Sequence, residues 1–192
     1  MNDGNRSSLL RKLGITLLKH LAAVAIMLGC CFMLVPDAFE GKVIMQGDKL
    51  HSLGMKRDVK AHHERTGELT NWTDRSYCGM PTTLIYPVYP NNWASAFVNS
   101  LENWTHPQLV HLMLPMLCLY IALVVAGYPI WLSLLGALAF GLSTINVGNM
   151  IAAHSSKIKS IATAIPVLIG VYLMFEKKTL RGFLLITLFG AL

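Results

Sequence analysis

Four stretches of the chain, Leu21–Val35, Leu112–Ala126, Pro129–Val147 and Ile161–Phe175, contain no Asp, Glu, Lys or Arg. Each is 15 to 19 residues long. Flanking side chains such as Lys19, His20 and Lys159 can snorkel and extend the runs towards the roughly 20 residues that span a bilayer. A fifth apolar run, Phe183–Leu192, stops after ten residues, too few to span. The pattern predicts an all-α polytopic membrane protein. A tail over 1–13 leads into a first span over 14–35, followed by a long polar segment over 36–107. Spans over 108–127 and 129–147, a polar break over 148–160 and a fourth span over 161–175 come next. A short loop over 176–182 and a truncated fifth span over 183–192 complete the series, as expected of the N-terminal part of something longer. The basic residues Arg6, Arg11, Lys12 and Lys19 before the first run resemble a signal peptide, but no small-x-small cleavage site follows it. "CCFMLVPDAFEGK" is bulky throughout, so the first run is read as an uncleaved helix.

Composition supports this reading. Of 192 residues, 54% are hydrophobic and 14% charged, with a mean hydropathy of +0.50; a soluble domain carries about a quarter charged residues. Four cysteines, with no CxxC spacing, support neither a disulfide framework nor a zinc site. No metal, cofactor or nucleic-acid partner is called for; membrane lipids are the expected surroundings.

The net charge of +6 is unevenly spread: +3 over residues 1–20, −1 over 36–107, +2 over 148–160 and +2 over 176–182. The positive-inside rule places the N-terminus in the cytoplasm. Alternation then puts 36–107 and 148–160 outside, and "EKKTLR" (Glu176 to Arg181) inside. Lys157 and Lys159 therefore lie on the side where lysine is disfavoured. Two lysines at a helix end can simply snorkel to headgroups. A functional reading is an anion site, in which Lys157 attracts a phosphate while His154 and Ser156 donate hydrogen bonds beside a helix N-terminus. Lys159 is expected only to snorkel.

The segment between the first two spans is too long for an idle connection. It predicts a helix over 49–66 with Asp48 at or near the N-cap, then irregular structure with a short strand. "NNWASAFVNSLENW" follows, an amphipathic helix with Trp93, Phe97, Leu101 and Trp104 on one stripe and Asn91 or Asn92 as its cap. Tryptophans on such a helix, next to a span, point to an interfacial position. Among the acids of this segment Asp48 stands out by its closeness to the membrane surface, ahead of Glu68 and Asp74. It is either a helix cap or a general base for an acceptor hydroxyl.

Three strings, "QGDKLHSLGM", "ERTGELTNWTDRSYCGMPTT" and "AAHSSKIKSIATAIPVLIGVYLMFEKK", occur in this order. Together they resemble the N-terminal part of the YfhO-type bacterial membrane proteins, which are similar to the GT-C superfamily of polytopic glycosyltransferases. The resemblance rests on Gln46-Gly47-Asp48, on Gly67, Glu68, Trp72 and Thr73, on Gly79-Met80-Pro81, and on Ala153, His154, Ser156 and Lys157. Arg75-Ser76-Tyr77-Cys78 departs from the apolar or aromatic lead-in usual before Gly-Met-Pro. The resemblance implies a GT-C-like helix bundle with a large extracytoplasmic first loop containing amphipathic helices. It also implies transfer of a sugar from a polyprenyl-phosphate donor to an extracytoplasmic acceptor, a cell-envelope polymer or a glycolipid. Asp48 would be the catalytic base, and Lys157, His154 and Ser156 would bind the donor phosphate. The competing expectation is a non-enzymatic membrane protein, a transport or scaffold subunit that binds a partner through its outer loop.

Overall fold

A computed structural model describes residues 3–36, 40–42, 46–75, 77–86 and 92–190. Among these are eight α-helices: α1 (Asp3–Leu34), α2 (Gly47–Thr66), α3 (Trp93–Trp104), α4 (Pro107–Ala126), α5 (Ile130–Gly141), α6 (Thr144–Ile151), α7 (Ser155–Phe175) and α8 (Thr179–Gly190). Two short strands, β1 (Trp72–Thr73) and β2 (Met80–Pro81), pair antiparallel with Trp72 opposite Pro81. The protein is thus all-α in its bulk. Leu10–Leu34 of α1, α4 and α7 are each long and apolar enough to cross a membrane, and α5 with α6 qualify together as a bent pair.

Local chemistry sets the boundaries. His106 is extended at the N-cap of α4, Pro107 opens the helix at a position that needs no N–H donor, and Gly127 closes it in the left-handed region. Gly67 closes α2 in the same way. The third expected span, over 129–147, is two helices meeting at 48°. At the break the Asn146 side-chain amide donates to the Phe140 carbonyl at 2.8 Å, and the Ser143 N–H approaches the same oxygen at 3.1 Å. Backbone freed by a break inside an apolar bundle needs such partners. A periodic apolar count cannot register this, because residues 142 and 143 remain compatible with a continuous run.

Helix α4 is central. It packs against α5 and α7, and α7 packs most extensively on α8. Helix α1 and the residue that follows it contribute one stripe at four-residue spacing, Ala23, Met27, Cys31 and Val35, to a core shared with Leu109, Leu112, Met116 and Ile158. The rest of α1 is apolar too, yet exposed: Leu13, Leu17, Leu18 and Met33 all point away from the protein. Water would not tolerate that surface, whereas lipid does. His20 is tied to α4 by a 2.7 Å hydrogen bond between its Nδ1 and the Tyr120 hydroxyl. A second core joins Cys118 and Ala122 of α4 to Ala162 and Leu173 of α7 and Leu185 and Phe189 of α8. Small residues make the α7–α8 approach possible: a Cβ at Gly182 would lie 2.5 Å from the Gly170 carbonyl oxygen.

Helix α3 carries the expected amphipathic pattern, but Phe97 and Trp104 of its apolar stripe face outward. Trp104 is 85% exposed and Phe97 61%, while Val98 is buried. A soluble helix would turn that aromatic side to the core. Asn91, one of the two caps expected for α3, lies outside the described residues.

Candidate functional site

The end of the bundle where α4 and α7 begin gathers most of the buried polar groups. Helix α2 starts there, because the Gln46 side chain, almost fully buried, donates to the Met150 carbonyl at the end of α6. With the N-cap position taken by Gln46, which makes no side-chain cap, Asp48 sits in the first turn of α2 and is not the cap. Its carboxylate is instead free to reach across the chain. Between α6 and α7 the backbone reverses through Ala153, whose φ of 65 is left-handed, and His154 becomes the N-cap residue of α7. That reversal turns the imidazole towards α2.

Asp48 and His154, 106 positions apart in sequence, meet there: the His154 Nε2–H donates to Asp48 Oδ2 at 2.9 Å. On the other edge of the ring, Nδ1 faces the Asn149 side-chain amide, 3.4 Å from its oxygen. As an imidazolium the ring donates to that oxygen, and as a neutral ring it can accept from the amide nitrogen. Asn149 is buried, and its amide nitrogen has no partner among the described residues. Both ring nitrogens are therefore engaged, and the imidazole is held in one orientation. Neither is free to take a proton from a substrate. The group that can is Asp48, whose second oxygen has no partner among the described residues and whose side chain is 61% exposed.

Ser156 and Lys157 follow in the first turn of α7. Their backbone N–H groups lack a carbonyl partner among the described residues, as expected at a helix start. Lys157 is exposed and makes no ion pair among the described residues. Ser156 opens a groove of about 630 Å³ that runs along α7 past Ser160 and Thr163 to Val167, Leu168 and Phe189 of α8. The groove is polar at its mouth and apolar along its length.

Lys159 behaves differently from the expected snorkelling residue. Its Nζ lies 2.8 Å from Glu102 Oε1 and donates to Asn99 Oδ1 at 2.9 Å, tying α7 to α3. His111 Nε2 of α4 approaches the same carboxylate oxygen at 3.4 Å. Burial alone would raise the Glu102 carboxyl above its usual range, but the contacts from His111 and Lys159 and the lysine charge outweigh it and hold it at about 2. Lys157 and Lys159 differ in kind: one cation is free and the other is neutralised. Sequence reasoning missed Gln46 as an anchor, Asn149 as the second partner of His154, and the Glu102–Lys159 pair. Only Asn149 carried a signal, an amide at the start of the polar break, five positions before His154.

Among the described residues no group of His, Cys, Asp or Glu is arranged to hold a metal ion. The chain matches no protein-family model, no curated protein and no solved structure.

Proposed function

We propose that this chain forms the base and donor sites of a GT-C-like membrane glycosyltransferase, acting on a polyprenyl-phosphate-linked sugar at the outer face of a bacterial plasma membrane. The observation that carries the reading is the 2.9 Å contact between Asp48 and His154, which brings two of the four site residues expected from the sequence into one place. In this scheme the acceptor hydroxyl gives its proton to the free oxygen of Asp48 as its oxygen bonds to the anomeric carbon. The bond from that carbon to the phosphate oxygen breaks, and its electron pair leaves with the polyprenyl phosphate. Lys157 and the unpaired N–H groups at the start of α7 face the charge that develops there. The groove from Ser156 to Phe189 suits the lipid portion of the donor, with its polar mouth at the phosphate.

The bent α5–α6 pair, with Asn146 and Asn149 buried within its second helix, favours a second reading. Broken helices with polar residues at bilayer depth are typical of transporters. One assay separates the two. Purified protein is mixed with polyprenyl-phosphate-linked sugars and membrane acceptors, and release of polyprenyl phosphate is followed for wild type and Asp48→Asn. The amide keeps the shape of the side chain but cannot act as a base. Transfer by wild type that is abolished by Asp48→Asn, with protein abundance unchanged, is expected. Equal transfer by both would reduce Asp48 to a structural partner of His154, and no transfer by either would favour transport.

A further inference from the structure

The C-terminal half of α2 and the β1–β2 hairpin enclose a cleft of about 390 Å³, away from the Asp48 site. Its walls hold Asp58, His62 and Arg65 of α2 and Trp72, Asp74 and Arg75 of the hairpin. From this cleft we infer a carbohydrate-binding site, one that takes a neutral, hydroxyl-rich glycan.

Three features point to that ligand. The formal charges cancel, two arginines against two aspartates, so the cleft offers neither a phosphate nor a cation a net attraction. The same groups are planar forks: carboxylates accept from neighbouring hydroxyls, and guanidiniums donate to them. Asp74 and Arg65 have no partner among the described residues, while Arg75 is braced by Asp58 at 3.2 Å. The third feature is the tryptophan. Gly79, at φ +114, lies directly against the Trp72 indole, where a Cβ would come within 2.9 Å of Nε1 and Cζ2. Trp72 is nevertheless 56% exposed. A half-exposed indole, packed by Gly79 along its Nε1–Cζ2 edge and bordered by hydrogen-bonding groups, offers a surface for the C–H face of a pyranose ring and partners for its hydroxyl rim.

The hairpin is built to hold this wall still. The Thr82 hydroxyl donates to the Thr70 carbonyl, the Thr82 N–H donates to Asn71 O at 3.1 Å, and the Thr70 hydroxyl donates to Trp72 O at 2.6 Å. Asp58 stands ten positions beyond Asp48 on the same helix, about 15 Å at 1.5 Å per residue. A glycan in the cleft can therefore extend towards Asp48. Its role as an acceptor subsite rests on the transfer reading above, whereas the binding itself does not.

The test is direct binding by isothermal titration calorimetry to the full chain in a detergent without a sugar headgroup. The probes are the neutral tetrasaccharides cellotetraose, chitotetraose, mannotetraose and maltotetraose. At least one is expected to bind saturably, with a loss of about tenfold or more in Trp72→Ala, the size of effect that an anchoring tryptophan has in an interface. Trp72→Phe should retain most of the affinity. Because Trp72→Ala can disturb the hairpin, Asp74→Asn at an exposed position is the second variant, and it should weaken binding with helical content unchanged. Binding is read without a sugar donor, so a failed transfer assay and a failed cleft are told apart. Binding of none of the four sugars, binding unchanged in both Trp72→Ala and Asp74→Asn, or loss of bound sugar to inorganic phosphate would each overturn the proposal.

Discussion

Replacing Lys159 with methionine removes the charge that faces Glu102 while keeping much of the side-chain bulk. Both partners are mostly shielded from solvent, with Glu102 19% and Lys159 24% exposed, so screening is limited. Holding Glu102 at about 2 when its ordinary value is 4.5 corresponds to about 3 kcal/mol at 1.36 kcal/mol per pH unit. His111 and Lys159 share that lowering, and loss of the lysine strands a largely buried carboxylate, so Lys159→Met should cost about 2–3 kcal/mol. For a chain of this length the melting temperature should fall by about 5–10 °C, followed by circular dichroism in detergent. The double variant Lys159→Met/Glu102→Gln should recover most of the loss, because neither charge is then left unpaired. The pH dependence has a definite sign. A carboxyl whose folded value is lowered stabilises fully above its unfolded value and loses that contribution as pH falls through the folded value. The gap in stability between wild type and Glu102→Gln should therefore be constant above pH 4.5 and close as pH falls towards about 2. A Lys159→Met melting temperature equal to wild type, with no rescue in the double variant, would refute the pairing and return Lys159 to simple snorkelling.

Lys157 should behave otherwise. A charge-assisted contact to phosphate is worth about 1.5–3 kcal/mol, so Lys157→Ala should slow transfer by about ten- to a hundredfold without changing thermal stability, and Lys157→Arg should keep part of the rate. Initial rate against donor concentration, with melting measured in parallel, checks both halves of that statement. Gly182→Val should push α8 off α7, since even a Cβ there would meet the Gly170 carbonyl at 2.5 Å. A loss of about 1–3 kcal/mol is expected, visible as lower detergent stability.

How far the chain could be read depended on the range of the interaction. Apolar runs announce helices through local composition: α4 follows within one residue at each end, whereas α1 and α7 end where expected but begin 11 and six residues earlier, in polar sequence that hydropathy leaves out. The break in the third span was not legible. It depends on Asn146 turning back to Phe140, a hydrogen bond that hydropathy does not encode. At the site, Asp48 and His154 were each singled out separately, one by position near the membrane and one by its place in a basic break. Their contact was not foreseen, because it spans 106 positions and is set by the left-handed turn at Ala153 and the anchoring of Gln46. Lys159 was misjudged for a related reason. Lys157 and Lys159 look equivalent in a string, but two residues along a helix they point in different directions, and only one meets α3. Similarly, the strand expected in the Thr-, Gly- and Pro-rich segment exists as a two-residue pairing, yet nothing in its composition revealed that it walls a cleft with α2.

Everything proposed for the Asp48 site depends on Asp48 and His154 meeting at one face of the membrane. The measurement that addresses this uses the paired substitution Asp48→Cys/His154→Cys, with Cys30, Cys31, Cys78 and Cys118 replaced by alanine. A short, membrane-impermeant bifunctional thiol reagent is then added to the outside of intact cells. Rapid internal cross-linking of the pair, absent when only one of the two cysteines is introduced, is the predicted result. Free thiols that label singly but never cross-link would contradict the contact, and cross-linking only after the membrane is permeabilised would contradict its outward position.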